Sequence, residues 1–161
     1  MNVDFSFSTN IGPRSENEDA VGFWPLIVEG FALAVADGLG GHLGGRRAST
    51  LAIDYFGKAV LRDPFDMHAT MTEIHEAILA EQQTDATLKG MATTLSVIIV
   101  RRGIITLGHC GDTRIALQRG NGIKQLTRDH TEARRLFDAG KLTKSEYLHY
   151  PRRNILDSAL G

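Results

Sequence analysis

The chain has 161 residues, 42% of them hydrophobic and 23% charged, with a formal net charge of -1. That length suits one domain with a real core, and the balanced charge excludes a protein built to neutralise a nucleic-acid backbone or an anionic membrane surface. One cysteine, Cys110, leaves no partner for an internal disulfide, and a reducing cytoplasm is the simplest fit.

The opening "MNVDFSFSTN" lacks the basic-then-apolar plan of a signal peptide. No apolar run approaches a membrane span, and the candidate Leu95 to Val100 is strand-sized. The expectation is a cytoplasmic protein without a membrane segment. Arginine pairs at Arg46-Arg47, Arg101-Arg102, Arg134-Arg135 and Arg152-Arg153 are short and isolated, and read as solvated faces or loop charges.

In chain order, "VDFSFST" alternates apolar and polar residues like a half-buried strand, and "AVGFW" reads as a second short strand. "GFALAVADG" is a nearly continuous apolar run ending in Asp-Gly, so a buried strand feeds a glycine-rich turn, "DGLGGHLGG". Ala48, Leu51, Ala52, Tyr55 and Ala59 then recur at helical spacing, and Met67, Met71, Ile74 and Ile78 mark one face of a second helix from about Phe65. The stretch 91–127 predicts a meander of strands turning at Arg102-Gly103, Gly111-Asp112 and Asn121-Gly122. Short helical patterns follow, with Gly140 as a helix stop and Pro151 in a loop. Strands, two helices, then a meander predict an α+β domain rather than a βαβ repeat.

Chemistry concentrates in two acidic places, "ENED" (Glu16, Glu18, Asp19) and Asp37-Gly38. An aspartate where a buried strand emerges either caps a helix or binds something positive, and both readings stay open on spacing alone. Gly38 allows close backbone approach, so its carbonyl could face a hard cation such as Mg²⁺ or Mn²⁺. A direct phosphate cradle is disfavoured: the glycine run has neither a P-loop ending nor Gly-x-Gly-x-x-Gly spacing, and Asp37 would repel a bare phosphate. Cys110 is not a phosphatase nucleophile, because Arg114 follows too closely and Asp112 would raise the thiol pKa; it reads as a small core residue.

The ordered set "RSENED", "ADGLGGH", "ATTLSVIIV", "GHCGDTR", "LTRDHT" and "FDAGKLTKSEYLHYPRRNILDSALG" resembles the metal-dependent serine/threonine phosphatases of the PP2C (PPM) family in their bacterial form. The resemblance implies a β-sandwich of two antiparallel sheets flanked by helices, with a two-metal site at one edge. It matches Arg14 to the arginine that grips substrate phosphate, a role suited to a planar guanidinium. Glu18, Asp37 and the Gly38 carbonyl match metal ligands, with Asp37 bridging both metals, and Asp19 matches a neighbouring acid that holds metal-bound water. A metal-activated water then attacks phosphorus in line, so no side-chain nucleophile is needed.

His42 is a candidate general acid for the leaving Ser/Thr oxygen. It stands five positions after Asp37, whereas many eukaryotic relatives carry histidine directly after Asp-Gly, so the alternative is a loop-structuring or helix-starting role. Asp112 and Arg114 match a strand-turn element without assigned chemistry, and about 128–154 match the flap beside the active site. The resemblance also implies two later aspartates that this sequence does not reach. The chain is therefore expected to be the N-terminal part of one catalytic domain, incomplete at its C-terminus, with open sheet edges and an exposed core face. A cut fragment is the favoured account; natural truncation and completion by a second chain are the others. The implied partners are a phosphorylated protein substrate and an opposing Ser/Thr kinase. The competing functions are a non-catalytic module binding a partner or phosphopeptide, and a nucleotide-binding protein, which the missing P-loop lysine disfavours.

Overall fold

The computed structural model describes residues 3–27, 30–40 and 43–161. β1 (Asp19–Leu26) and β2 (Gly30–Leu39) pair antiparallel from Asp19 opposite Asp37 to Leu26 opposite Gly30. Two helices follow, α1 (Leu43–Ala59) and α2 (Met67–Thr84), then β3 (Ala92–Thr93), β4 (Leu95–Arg101) and β5 (Ile104–Cys110). A hairpin of β6 (Ala116–Arg119) and β7 (Gly122–Gln125) leads to α3 (Glu132–Asp138) and α4 (Lys144–His149). The larger, five-stranded sheet runs β1-β2-β4-β5 with β3 beside β2, while β6 and β7 form a separate two-stranded sheet. Every pairing is antiparallel, so the helices between β2 and β4 make no βαβ crossover. The expected α+β architecture of antiparallel sheets flanked by helices is present.

Directly opposed residues share a sheet face, which sorts the large sheet into two. One face carries Ala32, Ala34 and Ala36 of β2 with Leu95, Val97 and Ile99 of β4, all buried. Small β2 side chains let α1 lie close, and its Ala48, Ala52 and Phe56 fill the layer with Ile74 and Ile78 of α2. Phe56 meets Trp24 edge-on at 5.3 Å. The far face carries Val21, Phe23, Leu33, Val35 and Ile98, none fully buried among the described residues. This face is apolar and only partly covered: Ser96 and Val100 on it are buried, whereas Val35 is exposed.

Three details depart from the sequence reading. Residues 3–9 form no strand: they are exposed, and touch the sheet where Phe5 stacks on Phe23 at 3.8 Å. Alternation specifies two faces, but a strand also needs a ladder partner, and this segment has none among the described residues. β3 went unseen because a two-residue strand has no period to read. Gly44 and Gly45, read as turn residues, instead lie inside the first turn of α1.

The β4–β5 turn falls where expected, with Arg102 and Gly103 at φ 50° and 79° forming a two-residue loop of the kind that matches strand twist, whereas the β6–β7 loop is Gly120-Asn121, one residue ahead of the expected Asn121-Gly122. Local chemistry sets the last helices: Thr131 caps α3, and Thr143 with Glu146 closes a capping box on α4. Gly140, at φ 69°, turns the chain away after α3. This tail is fastened to the sheet. His130 N–H donates to the Gly111 carbonyl at 2.7 Å, and Thr93 and Leu160 exchange backbone bonds at 2.9 Å. Arg114 forks onto the buried Asp129, with Nε 2.9 Å from Oδ1.

Candidate active site

The β1–β2 register places Asp19 and Asp37 opposite each other at one end of the large sheet. Like charges in that relation destabilise a ladder. Arg14, Glu18, Asp37 and Gly38 line one cleft of about 370 Å³ with Ser15, Glu16, Leu39 and Gly40. Four of the sequence candidates thus come together, and Asp19 stands at their edge. His42 lies outside the described residues.

Close backbone packing builds the cleft floor. A Cβ on Gly38 would fall 2.1 Å from the Gly45 carbonyl oxygen and 2.7 Å from that of Glu18. Only glycine lets β2, the first turn of α1 and the Glu18 peptide meet this way. Gly38 N–H donates to the Glu18 carbonyl at 3.2 Å, joining the two acidic segments directly. Upstream, Asn17 Oδ1 accepts from the Asp19 N–H at 3.0 Å, and Arg46 of α1 holds Glu16 at 2.8 Å. Arg14 is loosely placed, 3.9 Å from Glu18, with its side chain 76% exposed.

The electrostatics are one-sided. The Asp37 carboxyl is pushed above its ordinary range, first by the water its surroundings displace although it reaches solvent, then by Asp19 and Asp112. Arg14 acts in the opposite sense, and Glu18 adds to the rise. The cleft is short of positive charge. Asp112 is the residue the sequence reading passed over. Its signal was the meander itself: Leu95 pairs with Cys110, so the turn after β5 returns to the sheet end where Asp37 stands.

Among the described residues, no group of three or more His, Cys, Asp and Glu converges as a ready metal cage. With Glu16 held by Arg46, the cleft offers the Glu18 and Asp37 carboxylates beside the Gly38 backbone. An all-oxygen set of that size fits Mg²⁺ or Mn²⁺, which keep several waters and need only one or two carboxylates.

Two other groups prove structural. Cys110 is half-buried against the core, and burial pushes its thiol pKa up, as expected for a packing residue. Ser96 and His109 are paired at 2.8 Å, but the other ring nitrogen, Nε2, sits 3.0 Å from the Arg128 carbonyl. That geometry puts the proton on Nε2 and ties β5 to the segment after β7. Burial holds the His109 pKa below the ordinary histidine value.

The family model described as protein phosphatase 2C matches residues 9–158. The chain belongs to the protein phosphatase 2C family. It is 32% identical to protein phosphatase PhpP of Streptococcus pneumoniae, over 99% of this chain and 68% of PhpP. Among solved structures it resembles serine/threonine phosphatase Stp1 of Staphylococcus aureus at a TM-score of 0.85 and 27% identity, covering 96% of this chain and 64% of Stp1. The catalytic domain of PstP, solved in complex with two manganese ions, matches at a TM-score of 0.73 and 33% identity, covering 91% of this chain and 61% of PstP. This protein phosphatase 2C chain therefore spans about two thirds of the length of these relatives. No helix among the described residues is long and apolar enough to cross a membrane.

Proposed function

We propose that the protein carrying this chain is an Mg²⁺- or Mn²⁺-dependent phosphatase that hydrolyses phosphoserine or phosphothreonine in protein substrates. The observation that carries the proposal is the cleft that unites Arg14, Glu18, Asp37 and Gly38 with a deficit of positive charge, in a chain of this family. Glu18, Asp37 and the Gly38 carbonyl are the groups that would hold cations, with Asp37 the central carboxylate and Asp19 placed to orient water beside them. When bound, the cations supply Lewis-acid charge and an acidified water. Arg14, exposed and only loosely engaged by Glu18, is free to swing its planar fork onto two phosphate oxygens. His42, as general acid to the leaving oxygen, remains a candidate on sequence grounds alone.

Residues 1–161 form the N-terminal part of a single catalytic domain in this reading, with 128–154 as its flap. A second polar cleft of about 530 Å³ is lined by Asp112 and Arg114 together with Tyr147 and Arg153 of that segment, which supports a substrate-facing role for it. The proposal includes a cytoplasmic setting, an opposing Ser/Thr kinase, and no nucleic-acid or membrane partner.

The test is hydrolysis of a phosphoserine peptide with Mn²⁺, by this chain and by the chain extended to its relatives' length. The extended protein is expected to turn over only with metal, and Arg14→Ala in it to raise KM more than it lowers kcat. An extended protein that takes up Mn²⁺ without hydrolysing any phosphopeptide would point to the binding-module alternative. An unchanged KM in Arg14→Ala would remove the phosphate role from that residue.

A further inference from the structure

The side chains that hold the acidic edge together from behind are hydroxyls with no access to solvent. Ser49, Thr93 and Thr94 are each 0% exposed. Ser49, on α1, donates from Oγ to the Glu18 carbonyl at 2.6 Å. Thr94 accepts from the Asp37 N–H through Oγ1 at 3.0 Å, and its own N–H donates to the Asp37 carbonyl at 2.9 Å. Thr93 Oγ1 donates to that same carbonyl at 3.0 Å. With the Gly38 N–H on the Glu18 carbonyl, one continuous chain of hydrogen bonds runs from α1 through the Glu18 and Asp37 peptides to the start of β4.

Burying three hydroxyls in an alanine- and leucine-lined layer is unfavourable unless each is satisfied. Here all three converge on the two peptides that bear the cleft's carboxylates. Asp19 and Asp37 stand opposite each other across the β1–β2 ladder with Glu18 next in the chain, and like charges so placed push the strand ends apart. A hydrogen-bonded backing resists that pressure and keeps the donor atoms set before a cation arrives.

We propose that Ser49, Thr93 and Thr94 are positioning residues that pre-set the Glu18 and Asp37 peptides for divalent-cation binding, a role that rests on the metal reading given above. None of them touches the cation or the substrate; they act through the backbone.

Thr94→Val keeps the shape and removes the acceptor, and Thr94→Ser restores it. Ser49→Ala is an independent second variant acting from the helix side. Two readouts on the metal-free and Mn²⁺-titrated chain separate the claims: amide hydrogen exchange at Asp37 and Gly38, and Mn²⁺ affinity by calorimetry. Thr94→Val is expected to expose the Asp37 amide to exchange while Val97 and Ile99 keep their protection. Its Mn²⁺ affinity should fall about tenfold to a hundredfold, the range for removing a group that orients a metal ligand. Thr94→Ser is expected to recover both to near wild type, and Ser49→Ala to weaken Mn²⁺ binding with the Arg46–Glu16 ion pair unchanged. Wild-type Mn²⁺ affinity in Thr94→Val, or a Thr94→Ser as weak as Thr94→Val, overturns the positioning role. The variants are compared in the chain extended to its relatives' length if only that form takes up Mn²⁺, and if neither form does, the metal reading fails separately. The clamp is then overturned as a device for cations, and the exchange data report only whether the hydroxyls hold the backbone.

Discussion

Asp37→Asn is expected to abolish Mn²⁺ uptake at the cleft and, at the same time, to raise the melting temperature of the metal-free chain. The two effects have one cause. The Asp37 carboxylate loses part of its hydration on folding, and it then feels Asp19 across the β1–β2 ladder, Asp112 and Glu18, with Arg14 the opposing charge in that set. Its pKa is raised in the folded chain, so the folded state holds the proton more tightly than the unfolded state does. The linkage sign is then fixed: ionising Asp37 costs stability as pH rises through the unfolded and then the folded pKa, and the whole cost is present at neutral pH. Removing the charge recovers that stability, and the gain over wild type fades as pH falls below the ordinary carboxylate range. In the extended, metal-loaded enzyme the same substitution should lower kcat/KM by about a thousandfold or more, since Lewis-acid stabilisation is worth several kcal/mol and each tenfold is about 1.4 kcal/mol. A variant that melts lower without metal, or retains wild-type turnover with it, contradicts the charge account of the site.

Gly38→Ala should be the most damaging single methyl in the described part of the chain near the site. Its Cβ would meet the Gly45 carbonyl oxygen at 2.1 Å, the Gly45 carbonyl carbon at 2.4 Å and the Glu18 oxygen at 2.7 Å. All are backbone atoms, so no side chain can swing aside. Overpacking typically costs about 1–3 kcal/mol and occasionally more, and this contact belongs at or above the upper end. For a domain of this size that is a fall of roughly 6–12 °C in melting temperature, accompanied by loss of Mn²⁺ binding as the Asp37 peptide shifts. Gly122→Ala is the control. Its nearest neighbour is the Arg119 carbonyl at 3.6 Å, an ordinary contact, so its melting point should stay within about a degree or two. Equal losses in the two variants would show that the Gly38 approach is not what holds the cleft.

Much of this was legible in the sequence because its carriers are periodic or local. Ile74 and Ile78 repeat at helical spacing and both are fully buried. Arg102-Gly103 sits where β4–β5 turn, while the β6–β7 loop is Gly120-Asn121, one residue ahead of the expected Asn121-Gly122. Thr131 and Thr143 cap the helices that follow them. Asp37 was legible only as an ambiguity between cap and cation site. What supports the cation reading proposed above is cross-strand register, a non-local property: Asp19 and Asp37 are opposed only once β1 and β2 pair. Asp112 and the hydroxyls of Ser49 and Thr94 were missed for the same reason. Each lies in an unremarkable local pattern and acquires its role from a neighbour 31 to 57 positions away in the hydrogen-bonded cases. The segment 3–9 shows the converse error, a strand pattern that finds no ladder among the described residues.

The central claim is that the Asp37 end of the sheet is the cation site, and paramagnetic line broadening locates it without any assay of turnover. On adding a substoichiometric amount of Mn²⁺ to the chain, amide signals nearest the bound ion broaden first, and the effect falls steeply with distance. Glu18, Asp19, Asp37 and Gly38 are expected to broaden first. Gly30 and Arg101, paired at the opposite end of the strands and roughly 20 Å away at about 3.3 Å per residue, should remain sharp. Asp37→Asn should erase the localised effect. Broadening spread evenly over the surface, or centred on the Gly30–Arg101 end, would contradict the assignment.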